Sequence, residues 1–279
     1  MGKNFASDAD YVVGHAAEEE QRLQNGGQLM YPATKHLFQR AGIRPGMKVL
    51  DVGSGTGDVA LQIAELVGPA GSIVGVDIYA PGLEKARSKL RSIGFENATF
   101  IAGDIRDVAL DTTFDAVVGR NVLMYVADLT AVLRVCVRHL RSGGVMAFQD
   151  VEWNMTEKIF GSDYMAPKAR QLMIWATELF RRGGTEMQMS LKLPGAFLDA
   201  GLPFPQLQID ACVSSASDRV LHEFNVQGFI QMLPKLREYG ILTDEIDCEA
   251  FVSQMEEEVM QQRSYVPLYF MVGGWARKA

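Results

Sequence analysis

The chain has 279 residues, of which 48% are hydrophobic, and this is enough to bury a substantial core in one large domain. A formal net charge of -7 at pH 7 argues against a nucleic-acid-binding surface, because phosphate recognition normally leaves a basic patch. The three cysteines, Cys136, Cys212 and Cys248, are far apart and odd in number, so we expect neither a disulfide framework nor a metal site. No apolar run suits a signal peptide or a membrane span, and we expect a cytoplasmic protein without a membrane partner.

Residues 8–42 have the pattern of amphipathic helices. The acidic run at 18–20 suits a helix N-terminus, where carboxylates interact favourably with the helix dipole. A second helix is predicted from Pro32 to Ala41, because proline suits the first turn of a helix and Gly42 suits the position just after its end. Since these helices precede the first strand, we expect residues 1–44 to form a cap over the carboxyl edge of the sheet.

A regular alternation of strands and helices follows. The predicted strands are 48–52, 72–77, 98–102, 114–119 and 145–149, and the predicted helices between them are 58–67, 80–93 and 128–140. Continuous apolar runs joined by helix-length crossovers imply an α/β fold with a parallel sheet covered on both faces. Ligands of such sheets bind at the carboxyl ends of the strands, near the point where the strand order reverses.

After residue 150 the alternation breaks. The remaining segments are a helical, methionine-rich region to about 195, a sixth strand at 207–213, a helical insertion at 221–262 and a last strand at 266–272. We therefore predict a single domain on a seven-stranded, mostly parallel sheet. Its parts are the helical cap 1–44, a ligand-binding core 45–150, and the rest of the sheet with its helical insertions, 151–279. The apolar helical regions leave self-association open.

The stretch VLDVGSGTGDVA at 49–60 carries the strongest functional signal. A short apolar strand is followed by Gly53, Gly55 and Gly57, which force a tight turn before a helix that starts near Asp58. Glycine adopts positive φ freely and lets a ligand approach the backbone without meeting a Cβ. The N–H groups at the start of the helix then point at that ligand. The stretch predicts a ligand-binding loop rather than an ordinary turn.

Two well-known nucleotide loops fit this stretch poorly. A nicotinamide dinucleotide site needs GxGxxG, but Asp58 stands three residues after Gly55 and would repel a pyrophosphate. The phosphate-binding GxxxxGK[ST] pattern is also absent, because no lysine follows Gly57. A zwitterionic ligand tolerates this acidic surround better than a polyphosphate does.

Carboxylates lie at or just after the ends of three successive predicted strands. Asp51 lies just before the glycines, Asp77 ends the second strand, and Asp104 follows the third. Any one of them could cap a helix, but three at corresponding strand ends favour a shared ligand. Asp77 also lies at the distance after Gly57 at which an acidic residue reaches ribose hydroxyls in dinucleotide-type folds.

These residues carry a resemblance. The order VLDVGSGTGD, GVD, GD, FDAVV and RSGGVMAF resembles the class I S-adenosylmethionine-dependent methyltransferases over about residues 45–150. The segments DYVVGHAAEEEQRL and VVGRNVLMYVAD are similar to those of bacterial small-molecule methyltransferases, particularly natural-product enzymes. The resemblance implies a Rossmann-like fold, S-adenosylmethionine as methyl donor and S-adenosylhomocysteine as product.

The resemblance also implies how the donor is held. The three glycines would surround its methionine part, with Asp51 near the ammonium, and Asp77 would pair with the ribose. Asp104 and Ile105 would contact the adenine edge, and the backbone around residues 120–121 would line the site near the sulfonium. The implied cofactor-binding residues are Asp51, Gly53, Gly55, Gly57, Asp77, Ile78, Gly103, Asp104, Ile105, Arg120 and Asn121.

Methyl transfer from a sulfonium is an in-line displacement that depends mainly on alignment, and a general base is needed only for acceptors of high pKa. The candidates for such a group are Tyr11 and His15 in the cap, Asp150 and Glu152 in QDVEWN after strand five, and His222 at the start of an insertion. Each has a structural alternative: a packed tyrosine, a surface histidine, or a carboxylate that caps a helix or binds a cationic substrate nitrogen.

An apolar segment after the sheet is expected to contribute the acceptor pocket, although most of its members must be core. Its residues are Met155, Tyr164, Met165, Met173, Trp175, Phe180, Met187 and Met189. Aromatic walls favour an aromatic or heteroaromatic small molecule, with carbon methylation of an indole-like ring as one case. Other hypotheses are an O- or N-methyltransferase with a histidine base, a non-catalytic S-adenosylmethionine-binding module, and a dehydrogenase. A nucleic-acid methyltransferase is disfavoured, because RNVLMY stands where [DNS]PP[YFW] would be expected.

Overall fold

Seven apolar segments form the strands of one sheet. The computed structural model describes the backbone of residues 17–279 and the side chains of residues 26–266 and 268–279. The strands are β1 (Lys48–Val52), β2 (Ser72–Asp77), β3 (Ala98–Ala102), β4 (Phe114–Arg120), β5 (Leu140–Val151), β6 (Gln206–Ser214) and β7 (Val266–Arg277). The helices of this part of the chain are α1 (Ala17–Ala41), α2 (Asp58–Val67), α3 (Ala80–Ser92), α4 (Leu129–His139), α5 (Trp153–Phe160), α6 (Pro167–Arg182), α7 (Met189–Asp199), α8 (Arg219–Glu238) and α9 (Cys248–Gln261), with a short 3₁₀ helix at Leu123–Tyr125.

The strand order is β3-β2-β1-β4-β5-β7-β6. Strands β1 to β5 are parallel, and β7 runs antiparallel to both β5 and β6. The order reverses between β1 and β4, so their carboxyl ends define the crevice in which ligands of such sheets bind. The predicted α/β fold with a seven-stranded, mostly parallel sheet is confirmed.

Strand β7 is longer than the sequence predicts, because it continues through two glycines beyond residue 272. A Cβ on Gly273 would lie 2.7 Å from Cδ1 of Leu37, and a Cβ on Gly274 would lie 2.6 Å from Cδ2 of Leu193. Helices α1 and α7 thus approach the strand closely from opposite faces, and only glycine leaves room for them. Strand β5 is also longer, since it begins at residue 140 rather than 145.

The predicted break at Pro32 is wrong, because α1 is one continuous helix that passes through this residue. Proline inside a helix removes a backbone hydrogen bond and crowds the preceding turn, so tertiary packing must offset that cost. Helix α1 contacts α2, α8 and the last three strands of the sheet, which supplies this packing. The predicted end is confirmed: Gly42 has φ of 83°, and its N–H donates to the carbonyl of Gln39 at 3.0 Å.

The sheet separates two apolar layers. On one face α1, α2 and α3 bury Phe38, Ile63 and Leu83 against the strands. On the other face α4 and α7 pack against the sheet, where Phe148 of β5 and Phe197 of α7 are buried. Helices α6, α8 and α9 contact one another, and we call this group the cap lobe. Helix α8 of the cap lobe also packs against α1.

The helical insertions occur where the sequence predicts them, with α5 to α7 between β5 and β6 and the other two helices between β6 and β7. None of the helices in residues 17–279 is long and apolar enough to cross a membrane.

Candidate active site

The glycine loop joins β1 to α2 and has the backbone geometry that its sequence predicts. Gly53, Gly55 and Gly57 all have positive φ, at 69°, 49° and 84°. A Cβ on Gly57 would lie 2.7 Å from Cβ of Ala86 in α3, so packing as well as conformation requires glycine there. The N–H of Gly53 donates to the carbonyl of Val76 at 2.8 Å. The loop is therefore fixed between the end of β2 and α3.

Asp51 is a fully buried carboxylate at the end of β1. Its Oδ2 accepts a hydrogen bond from the hydroxyl of Ser54 at 2.7 Å, whereas its Oδ1 has no partner. Burial is the largest influence and raises the pKa of Asp51 to about 7, although Ser54 and the charge of Arg120 act in the opposite direction. An unpartnered buried acceptor beside a glycine loop fits the ammonium of a methionine moiety.

Asp77 joins the glycine loop to the start of α3. Its Oδ2 accepts from the N–H of Gly55 and its Oδ1 from the N–H of Tyr79, both at 2.8 Å. These two backbone contacts fix the orientation of the carboxylate beside the loop, where a ribose contact would require it. The next side chain, Ile78, is 43% exposed, so it offers an open apolar face to a flat ring. Both roles stay predictions.

Asp104 begins the turn after β3 and is tied to Arg106. The guanidinium Nε lies 3.0 Å from each carboxylate oxygen. Burial alone would raise the pKa of Asp104, but the hydrogen bonds and charge of Arg106 hold it below the ordinary value. Gly103 donates its N–H to the carbonyl of Asp77 at 2.8 Å, and the side chain of Ile105 is buried. The predicted adenine contacts thus lie directly beside the predicted ribose contact.

The end of β4 is connected to α1 by a polar network that the sequence analysis missed. Arg120 Nη1 donates to the hydroxyl of Thr34 at 3.1 Å, and that hydroxyl donates to Oε1 of Gln149 at 2.8 Å. Arg120 and Gln149 are register partners in β4 and β5. Burial lowers the pKa of Arg120, while Asp58 and Asp51 act in the opposite direction. The network joins segments that are far apart in the sequence, which therefore carried no signal for it.

Asn121 follows β4 in the left-handed conformation, with φ of 55°. Its N–H donates to the carbonyl of Gln149 at 2.8 Å, and its Nδ2 lies 3.7 Å from Sδ of Met30 in α1. The side-chain Oδ1 is buried without a partner. A non-glycine residue in this conformation costs free energy, and such strain is common where a chain approaches a ligand.

Asp150 and Glu152 both hold the N-terminus of a helical element. Asp150 is buried, and its Oδ1 accepts from the N–H of Met124 in the 3₁₀ helix at 3.1 Å. Burial raises the pKa of Asp150 to about 7, although these backbone contacts act in the opposite direction. Glu152 Oε2 accepts from the N–H of Ser190 in the first turn of α7 at 2.7 Å. Because this capping was their structural alternative, a catalytic role for either stays a prediction.

Of the remaining candidates for a general base, the structure describes His222. His222 Nδ1 lies 3.0 Å from Oε2 of Glu256, and this contact joins α8 to α9. Tyr11 and His15 lie outside the described residues. Among the side chains that the structure describes, residues 26–266 and 268–279, no group of three or more histidine, cysteine, aspartate or glutamate residues is arranged to hold a metal ion.

Helix α1 crosses the site at a pair of glycines. A Cβ on Gly27 would lie 2.9 Å from Cγ of Asp58, at the start of α2. A Cβ on Gly26 would lie 2.9 Å from Cε2 of Phe224, in α8. Helix α1 therefore passes between the glycine loop and the cap lobe with room only for hydrogen atoms. The dipeptide inside a helical pattern was an available signal, since glycine is costly there without a packing reason.

An apolar cavity opens between α6, α8, α9 and β7. Its walls include Met173, Phe180, Phe224 and Met255, with Asn225 and Tyr269 as polar members. The Nδ2 of Asn225 is buried without a hydrogen-bond partner. Phe224 is the side chain that contacts α1 at its glycine pair, so the cavity borders α1 there.

The residues of the methionine-rich segment lie in the cavity wall, in the core or at the surface. Met173 and Phe180 line the cavity, whereas Met165 and Met189 are buried in the core. Trp175 packs against Phe229, with ring centroids 5.6 Å apart. Tyr164 is 94% exposed, and it therefore lies outside both core and cavity.

The fold and the glycine loop define a class I, S-adenosylmethionine-dependent methyltransferase domain. A family model described as a methyltransferase domain matches residues 43–182, which is half of the chain. The chain therefore belongs to this methyltransferase domain family. A putative methyltransferase from Bacillus halodurans has the same fold, with a TM-score of 0.56 at 20% identity, covering 88% of this chain and 98% of that one.

Curated relatives match over part of their length. An arsenite methyltransferase of Aquipseudomonas alcaligenes is 40% identical over 114 residues, which cover 38% of this chain and 33% of that protein. A ubiquinone/menaquinone biosynthesis C-methyltransferase of a Shewanella species is 33% identical over 146 residues, which cover 50% of this chain and 58% of that protein. The chain thus spans less than two thirds of the length of these relatives.

Proposed function

We propose that the protein transfers the methyl group of S-adenosylmethionine to a small molecule with an apolar aromatic or heteroaromatic body. The cavity beside α1 carries this proposal, because Phe180, Phe224 and Tyr269 give it flat walls and Met173 and Met255 give it adaptable ones. An acceptor seated there would approach the donor along α1 at Met30, whose Sδ lies 3.7 Å from Nδ2 of Asn121 at the end of β4. The donor would bind along that loop, with its sulfonium near the end of β4.

The lining of the cavity favours transfer by alignment. Among the residues that line it there is neither a histidine nor a carboxylate, and the polar members are Asn225 and Tyr269. In the reaction the S–CH₃ bond breaks with its electrons on sulfur, and a bond forms between the methyl group and the acceptor atom. The methylated acceptor then releases its proton to solvent water. An electron-rich carbon needs only alignment and exclusion of water before the transfer. Carbon methylation is therefore our first choice of reaction.

The likeness to a C-methyltransferase of quinone biosynthesis supports this choice. The likeness to an arsenite methyltransferase has less support in the site. Soft metalloids bind thiolates, but Cys136, Cys212 and Cys248 are all buried. Burial raises the pKa of the Cys136 thiol to about 12 and that of the Cys212 thiol to about 11, and it also raises the pKa of Cys248.

The test combines donor, acceptors and cavity variants. The protein is incubated with methyl-labelled S-adenosylmethionine and a panel of indoles, quinols, phenols and aliphatic amines. We expect turnover with ring carbons, and Phe180→Ala should raise KM for the acceptor by about tenfold, since burial of a large aromatic group is lost. Ile174→Ala is the matched control, because Ile174 lies on the same helix and is 40% exposed.

Two results would contradict the proposal. Turnover confined to aliphatic amines would exclude the aromatic acceptor class. Turnover confined to phenols and abolished by His222→Ala would show an O-methyltransferase with a histidine base.

A further inference from the structure

Four polar side chains at the ends of β1, β4 and β5 keep hydrogen-bonding capacity that the described residues do not use. Asp51 Oδ1 and Asn121 Oδ1 are acceptors without a partner, and Gln149 Nε2 is a donor without one. The guanidinium of Arg120 has a hydrogen bond only to Thr34 among the described residues. Asp51 and Asn121 offer acceptors, whereas Arg120 and Gln149 offer donors. The four side chains are therefore complementary to a ligand that has both a positive and a negative group.

These four side chains lie on the side of the sheet that α1 covers. Asp51 is the register partner of Val118, and Arg120 lies two residues beyond Val118 in β4, so both point toward α1. Gln149 also points toward α1, because it accepts the hydrogen bond of Thr34. The Nδ2 of Asn121 contacts Met30 of the same helix. The unused groups therefore converge beneath α1.

The isolation of Arg120 indicates a ligand anion. No carboxylate of the described residues lies within ion-pair distance of its guanidinium, while Lys89 neutralises Asp58 at 2.7 Å. A partly buried cation without a close carboxylate is unfavourable, and a buried amide donor without an acceptor adds to that cost. An anion placed between Arg120 and Gln149 would remove both costs.

We propose that Arg120 and Gln149 bind the α-carboxylate of S-adenosylmethionine, while Asp51 and Asn121 accept hydrogen bonds from its ammonium. The two charged groups of an α-amino acid are attached to one carbon, so a site for them needs donors and acceptors side by side. Arg120 forms charge-assisted hydrogen bonds in this arrangement, and these are stronger than neutral ones. The inference concerns the donor and does not depend on which acceptor is methylated.

The test measures binding by calorimetry with three ligands. S-adenosylhomocysteine carries both charges, decarboxylated S-adenosylhomocysteine carries only the ammonium, and 5'-methylthioadenosine carries neither. Arg120→Met should weaken S-adenosylhomocysteine binding by about tenfold or more, and it should leave the other two ligands within about twofold of their wild-type affinity. Arg120→Lys keeps the charge but loses the planar fork, so it should recover part of the loss.

Two variants complete the design. Gln149→Leu should produce a smaller loss with the same dependence on the ligand, and it keeps the inference testable if Arg120→Met does not fold. Arg134→Met is the matched control, since Arg134 is exposed on α4 and donates to the carbonyl of Asp199. It should change no affinity.

Two outcomes would overturn the inference. Equal losses for all three ligands would mean that Arg120 acts only by holding α1 in place. Unchanged S-adenosylhomocysteine binding with a raised KM for the acceptor would mean that Arg120 binds an anionic acceptor instead.

Discussion

Gly27 and Asp58 are in such close contact that a Cβ on the glycine would lie 2.9 Å from the carboxylate carbon. The aspartate is held in place by Lys89, at 2.7 Å, and by the hydroxyl of Thr56, at 3.1 Å. Helix α1 therefore rests directly on the first residue of α2, whose N-terminus ends the glycine loop. This contact couples the position of α1 to the shape of the glycine loop.

Gly27→Ala tests that coupling. An alanine normally favours a helix over glycine, but here its methyl group must displace the side chain of Asp58. We expect weaker S-adenosylhomocysteine binding in calorimetry and no increase in the free energy of unfolding. Gly195→Ala is the control, because Gly195 is exposed in α7 and its Cβ would meet nothing within 4 Å. It should add roughly 0.5–1 kcal/mol of stability without changing binding. Unchanged binding and an equal gain in stability for Gly27→Ala would show that α1 does not press on the loop.

Gly57 in the glycine loop can be compared with Gly46, which lies outside the loop and has a similar backbone conformation. Both have positive φ, at 84° and 82°, but a Cβ on Gly57 would lie 2.7 Å from Cβ of Ala86, and one on Gly46 would meet nothing. Gly46→Ala should cost about 1–2 kcal/mol of unfolding free energy from backbone strain alone. Gly57→Ala should cost about 1–3 kcal/mol more from overpacking. Denaturant unfolding of both variants measures the difference, and equal losses would mean that α3 yields to the extra methyl group.

The central strands β1 and β4 could be predicted because both of their faces are buried, and such strands have continuous apolar runs in the sequence. The division of α1 at Pro32 was wrong because local preference was outweighed by packing against distant segments. The network of Thr34 and Gln149 could not be predicted, since these residues are 115 positions apart and meet only in the folded sheet. The walls of the cavity come from α6, α8, α9 and β7, which are also far apart in the sequence. The sequence therefore indicated an apolar pocket but not which residues line it.

Asp150 provides a prediction about stability and pH. Burial holds its pKa at about 7, against 3.8 ordinarily. Between those values the folded protein retains a proton that the unfolded chain has lost. The free energy of unfolding should therefore fall as pH rises from about 4 to 7, and Asp51 contributes in the same direction.

Asp150→Asn should make this decline shallower, because the amide cannot ionise and its oxygen can still accept from the N–H of Met124. Asp115→Asn is the control, since Asp115 is tied to Arg141 and Lys48 and its pKa lies below the ordinary value. Thermal unfolding across this range measures the slope. A decline as steep as that of the wild type would show that Asp150 is already ionised in the folded protein.

Asp51 should release a proton when the donor binds. With a pKa of about 7, most of its population is protonated at pH 6.5 in the free protein. An ammonium against Oδ1 would favour the carboxylate and lower that pKa, so the proton passes to the buffer. The binding enthalpy of S-adenosylhomocysteine should then vary with the ionisation enthalpy of the buffer. The binding enthalpy of 5'-methylthioadenosine, which has no ammonium, should not depend on the buffer. The binding enthalpy of S-adenosylhomocysteine to Asp51→Asn should not depend on it either. Equal proton release by Asp51→Asn and the wild type would place the titrating group elsewhere and leave Oδ1 without its expected ligand.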